Sequence, residues 1–188
     1  GSLQTVHYKV IKAEKEVVND LGHFLTTTQW YENPNDLFGR SPAVISYDYA
    51  TKSQITQEQR AWYAGLSDEA GAASWLAALM KQLLQPNQEE VNKLKRFVEE
   101  TMFNRIQHKD GKDKYGVVKS LFYYDTVAMP QGTYSDSINY KTWSAWNKKE
   151  ADNIGRSYNY PHVAAAHWVL YKLSKNYKNL VIEESPNS

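Results

Sequence analysis

The chain has 188 residues, enough for one domain with a sizeable core and too few to favour two. Its 22 Lys and Arg balance 21 Asp and Glu, so no global charge steers it toward nucleic acid or an anionic membrane surface. The absence of Cys excludes disulfides, thiolate catalysis and Cys-ligated zinc, and no apolar stretch approaches the length of a bilayer span.

Gly1-Ser2 reads as a cloning scar, which leaves residues 3–188 as the expected helical domain, cut from a longer protein. The first predicted element is a one-sided surface helix over residues 10–25, where Val10, Ala13, Val17, Leu21 and Leu25 recur at helical spacing between charged positions. Gly22 weakens its last turns by roughly 1 kcal/mol relative to Ala. Turn residues follow at 32–36 and 38–42, and a short strand fits residues 43–49.

Ser67-Asp68-Glu69 places a capping hydroxyl and two acids at the start of the strongest helix, which is apolar on nearly every face through Met80 and is therefore expected to be surrounded by protein. Asn87 and Glu90 have capping-box spacing and restart an amphipathic helix carrying Val91, Leu94, Phe97, Val98, Met102 and Ile106 on one stripe. The short connection makes these two an antiparallel hairpin with an inner and an outer member. A third strong helix opens at Pro161 and is again apolar almost all round.

Residues 107–160 form a long stretch of turn residues, interrupted by the apolar run 117–124, which reads as a strand or a helical turn. Its Tyr134, Tyr140, Trp143 and Trp146 argue that it is ordered, and a connection of this length in a compact domain is usually functional if ordered. The expected fold is all-α, with helical hairpins, long irregular loops and at most a small β-hairpin.

Two polar clusters stand at the starts of the two apolar helices: Arg60, Trp62, Asp68 and Glu69 before one, Arg156, Tyr158, Asn159, Tyr160 and His162 before the other. If those helices run side by side in one direction, both clusters open on the same end. Glycoside hydrolysis needs a proton donor and a second carboxylate across the bond, for which Asp68 and Glu69 are the first candidates. Neighbours on a helix point about a quarter-turn apart, so one of them would pair with a carboxylate elsewhere, such as Asp125, Asp136 or Asp152. Arg156 and His162 would orient the acid, with His162 a further catalytic candidate. Helix capping and packing explain the same residues without any ligand.

Fourteen Tyr and six Trp, many in polar stretches, suit flat amphipathic ligands such as sugars, although aromatic rings also fill cores. No metal or cofactor is expected. His162 and His167 are five apart and do not share a helix face, residues 108–113 lack calcium-loop spacing, and no phosphate-binding or dinucleotide glycine loop is present.

Asp36-Leu37-Phe38-Gly39-Arg40-Ser41-Pro42, the stretch from Trp62 to Gly71, and Arg156-Ser157-Tyr158-Asn159-Tyr160-Pro161-His162 followed by Val163-Ala164-Ala165-Ala166 resemble a largely uncharacterised bacterial and fungal family related to six-hairpin glycosidases. The resemblance runs from about Gln29 to Lys175. It implies a partial (α/α) toroid, in which parallel inner helices are each followed by an outer one and sugar binds in the funnel at one end. It also implies a polysaccharide or oligosaccharide ligand, an extracellular or cell-surface location, and contact with the rest of the parent chain. Arg60, Trp62, Arg156, Tyr158, Asn159 and Tyr160 are the sugar-contacting candidates. A closed ring takes more helices than this chain offers, so the alternative is a noncatalytic carbohydrate-binding or protein-interaction module.

Overall fold

The structure is a computed structural model and describes residues 1–181. Residues 1–12 are exposed and irregular, and α1 spans Glu14–Thr27, so the helix begins a turn later than its apolar spacing predicts. Its packing face is also rotated. Val10, Val17 and Leu21 are exposed, whereas Gly22, Leu25 and Thr26 are buried. Gly22 explains the difference: a Cβ there would sit 2.6 Å from Glu90 Oε2 and 2.7 Å from Lys81 Cε, so only Gly lets α1 lie this close to its neighbours.

Two small antiparallel ladders follow, rather than one hairpin. Strand β1 (Trp30–Tyr31) pairs with β2 (Ala43–Val44), and β3 (Tyr47–Asp48) pairs with β4 (Ser53–Gln54). The connection between β1 and β2 carries Arg40, whose side chain is almost fully buried. Its Nη2 and Nε donate to the two oxygens of Asp36 at 2.7 and 3.1 Å, and Nη1 reaches the carbonyls of Thr56 and Ala64 at 2.7 and 3.1 Å. The guanidinium also lies 4.8 Å from the Phe38 ring centroid. One side chain thus ties three chain segments together.

The short helix α2 (Ala61–Ala64) leads into α3 (Glu69–Leu84). Asp68, not Ser67, is the N-cap of α3, its carboxylate accepting from the Glu69 amide at 2.8 Å. Helix α4 (Gln88–Arg96) is capped by Asn87, whose side chain accepts from the Glu90 amide at 3.1 Å. The reciprocal half of a capping box is absent. Gln82 accepts from the Asn87 amide, and Glu90 instead turns inward to a buried ion pair with Lys81 at 2.8 Å, where Gln82 Nε2 also donates to it. From α4 the chain continues as a π-helix over Phe97–Ile106, whose five-residue repeat puts Phe97 and Met102, and Thr101 and Ile106, on the buried side.

After the one-turn α5 (Lys148–Ala151), helix α6 (Tyr160–Asn176) packs along α3, and α7 (Lys178–Val181) turns back against α4. Arg156 and His162 touch the start of α3, while Gln88, just past the α3 end, donates to Leu180 O at 3.3 Å beyond the α6 end. The two helices therefore run in the same direction. Helix α1 runs opposite to α3, because Gln29, past its end, bonds Ser74 while Gly22 meets Lys81. The fold is mainly helical, with α3 and α6 flanked by the outer α1 and α4.

The expectation that α3 is surrounded by protein does not hold. Ala73, Ala77, Met80 and Leu84 form an exposed stripe, and Ala164, Trp168 and Tyr171 form another on α6 at the same spacing. Among the described residues, α1, α4 and α6 cover the rest of α3 and nothing covers this side.

Residues 117–124 are neither strand nor helix apart from one bridge between Gln107 and Val117. The long excursion is nonetheless packed, since Phe38, Ala61, Ala64, Phe122, Tyr140 and Trp146 make a second core beside the helical one. Tyr124 and Tyr140 stack with centroids 4.3 Å apart, and burial pushes the Tyr134 and Tyr140 hydroxyls up to about 12. Gln57 staples the excursion by donating to Thr133 O and accepting from the Ser135 amide and the Tyr140 hydroxyl.

Candidate functional site

Where the two cores meet, at the shared start of α3 and α6, a cleft of about 670 Å³ opens. Each wall comes from a different part of the chain. Helix α2 supplies Trp62, the first turn of α3 supplies Asp68 and Glu69, and the excursion supplies Lys119, Trp143, Trp146 and Glu150, with Arg156 arriving just before α6.

Local structure fixes these side chains. The tight turn between α2 and α3 depends on Gly71, where a Cβ would lie 2.5 Å from Trp62 O, and on Leu66, which holds a left-handed φ of 68°. Trp75 Nε1 pins that turn by donating to Leu66 O at 2.7 Å. Below the cleft, Asn159 is fully buried and donates to Ser67 Oγ at 3.1 Å, and the Ser67 hydroxyl donates to Val118 O. His162 Nδ1 lies 3.3 Å from Ser67 O. This knot joins the starts of both helices to the run that carries Lys119.

Arg156 organises the charges. Its Nε lies 3.0 Å from Asp68 Oδ1, and its Nη2 lies 3.0 Å from Glu69 Oε2 and 3.3 Å from Oε1. Asp68 is buried, whereas the Glu69 side chain is more than half exposed. Partial burial pushes the Glu69 carboxyl up. Its own helix amide, the Arg156 hydrogen bonds and charge, and the charge of His162 outweigh that and hold it below the usual carboxylate range. On the far side Lys119 pairs with Glu150, and its ammonium stands 3.8 Å from the Trp146 ring centroid. Trp62 packs against both Trp143 and Trp146, with centroids 5.6 and 5.1 Å away, and Trp143 is left 84% exposed.

The structure thus brings together Trp62, Asp68, Glu69 and Arg156 of the residues singled out from sequence. It places the others elsewhere. Arg60 pairs with Glu58 at 2.6 Å and lies over the Tyr63 ring, in a different groove with Tyr47 and Tyr49. Asn159 and His162 are spent on the knot, and the Tyr160 hydroxyl donates to Ile154 O at 2.7 Å. Tyr158 is exposed and carries the Arg156 guanidinium 5.6 Å from its ring, so it supports the clamp from outside the cleft lining.

Of the proposed partner carboxylates, Asp125 caps a turn by accepting from the Val127 and Ala128 amides, Asp136 lines another groove, and Asp152 pairs with Lys148. Glu150 is the carboxylate that reaches the cleft, and sequence reasoning missed it together with Lys119. The tryptophans of the excursion were visible as ordered aromatic residues, but nothing local marks Glu150 in its run of charged neighbours.

A model of a family of unknown function (DUF5695) matches residues 1–188. No curated protein and no solved structure matches the chain.

Proposed function

The chain belongs to DUF5695, a family of unknown function, and we propose that its cleft binds carbohydrate. One observation carries this reading: three indoles, one of them almost fully exposed, share a cleft with three carboxylates and an arginine. A pyranose presents an apolar C–H face, which stacks on an indole, and a rim of hydroxyls, which carboxylate and guanidinium groups bind. In this reading α3 and α6 are two inner helices of a partial (α/α) toroid, and α1 and α4 are outer ones. Their exposed apolar stripes are where further helices of the parent chain pack. A polysaccharide-processing protein outside the cytoplasm is the setting that the family resemblance supplies.

Binding is favoured over hydrolysis for the isolated chain. A proton donor needs a raised pKa, and Glu69 is held low by its own helix amide and by Arg156. Hydrolysis is the second reading, favoured by Glu150 standing on a different element from Asp68 and Glu69, as an acid and base across a glycosidic bond would.

Glycan-array binding followed by calorimetry tests the first reading, with the wild-type chain and Trp143→Ala. Saccharide binding that Trp143→Ala weakens supports it, and no binding to any saccharide overturns it. Release of a new reducing end, lost in Glu150→Gln, would move the assignment to hydrolysis.

A further inference from the structure

Resting on the carbohydrate reading, we infer that the cleft selects its sugar by charge, taking amino sugars with a free ammonium ahead of neutral ones and excluding uronates. The cleft lining holds Asp68, Glu69 and Glu150 against Lys119 and Arg156, three carboxylates to two cations, which leaves one negative charge.

The two cations are already engaged. Arg156 spends its Nε on Asp68 and its Nη2 on Glu69, and Lys119 is paired with Glu150. A uronate could reach only the N–H groups these pairs leave over, on cations whose charge Asp68, Glu69 and Glu150 already balance, and it would sit beside those carboxylates. The dipole of α3 offers it little, because Asp68 caps the helix start and Glu69 occupies its first turn. Acceptors, by contrast, remain. The bonds of Asp68 to Arg156 and to the Glu69 amide fall on Oδ1, leaving Oδ2 without a protein donor among the described residues.

The protein also shows how an ammonium is held here. Lys119 places its own between the Trp146 ring face and the Glu150 carboxylate. An amino sugar that stacks on Trp143 or Trp62 presents the same pair of features to the ligand side of the cleft. The cavity and its indoles identify the sugar site, and the surplus acceptor identifies the substituent.

Calorimetry on the whole chain, with a glucosamine oligosaccharide, its N-acetylated counterpart and an oligogalacturonate of equal length, tests this. The free-amine ligand is expected to bind about tenfold more tightly than the acetylated one, as a charge-assisted hydrogen bond implies, with no uronate binding. Added salt should erode that preference, and Glu150→Gln should narrow the ratio of amine to acetylated affinity. Equal affinity for the amine and acetylated ligands, or any tighter binding of the uronate, overturns the charge selection and leaves the carbohydrate reading standing. Failure of all three, and of neutral glucans, removes both.

Discussion

Arg156 and Asp68, separated by 88 positions in the chain, meet with Nε 3.0 Å from Oδ1, and through this bond the start of α6 is locked to the start of α3. The same guanidinium reaches Glu69, so one planar group sets the orientation of two carboxylates. Arg156→Lys keeps the charge and loses the fork. Saccharide affinity is expected to fall about tenfold, a loss of about 1.4 kcal/mol. The Glu69 carboxyl should move up toward its ordinary range, as followed by carboxyl NMR titration. An unchanged Glu69 titration would show that Arg156 does not govern it.

Trp143 and Trp62 separate binding from stability. Trp143 is 84% exposed, so Trp143→Ala is expected to leave the unfolding midpoint almost unchanged and to cost about 2 kcal/mol of saccharide binding. Trp62 is half-buried between two other indoles, so Trp62→Ala should lower both. Urea unfolding and calorimetry on the two variants check the contrast.

Arg40→Met removes a buried charge and leaves Asp36 without its partner, along with the freed carbonyls of Thr56 and Ala64. Breaking one side of a buried pair costs about 3 to 5 kcal/mol. Arg40→Met with Asp36→Leu should recover part of that loss. Urea denaturation of the single and double variants measures the recovery, and a double variant no better than the single one contradicts the pairing argument.

Asp36 gives the fold a pH dependence. Burial pushes its carboxyl up, but the hydrogen bonds and charge of Arg40 pull it further down, so the folded value lies below the unfolded one of about 4. Its contribution is therefore full above about pH 5 and is lost as pH falls through 4 toward the folded value. Acid titration of wild type against Asp36→Asn should show a shallower loss below pH 4 in the variant.

Gly22→Ala would stabilise an ordinary exposed helix by about 1 kcal/mol. Here the added methyl meets the buried Lys81–Glu90 pair, and the expected change is a loss of about 1 to 3 kcal/mol. Chemical denaturation of the variant gives the sign directly.

Elements with strong local chemistry were legible from sequence. Asn87 capping α4 and Pro161 in the first turn of α6 both stand where spacing predicts them. So does the meeting of Asp68, Glu69 and Arg156 in one cleft. Failures came where distant packing overrides a local pattern. The apolar positions of α1 predict a face through Val17 and Leu21, but a close approach to Lys81 and Glu90 selects the Gly22 side instead. The conversion of the outer helix to a π-helix at Phe97 has no local mark. Nor does the arrival of Glu150 and Lys119 in the cleft, since both are ordinary charged residues until the excursion folds over α2. The sequence puts Asn159 among the sugar contacts and His162 among the catalytic candidates because polar side chains at a helix start are equally suited to face water or a neighbouring backbone.

The buried knot of Asn159, Ser67 and Val118 has a thermodynamic corollary. Because the cleft walls are tied together from beneath by bonds that solvent does not reach, their relative placement is settled when the chain folds, and an incoming molecule has little backbone left to order. Association should then proceed as a single bimolecular phase, without a slower step that saturates at high ligand concentration. Cutting the tie with Asn159→Ala should introduce that slower step, although it removes none of the side chains that line the cleft.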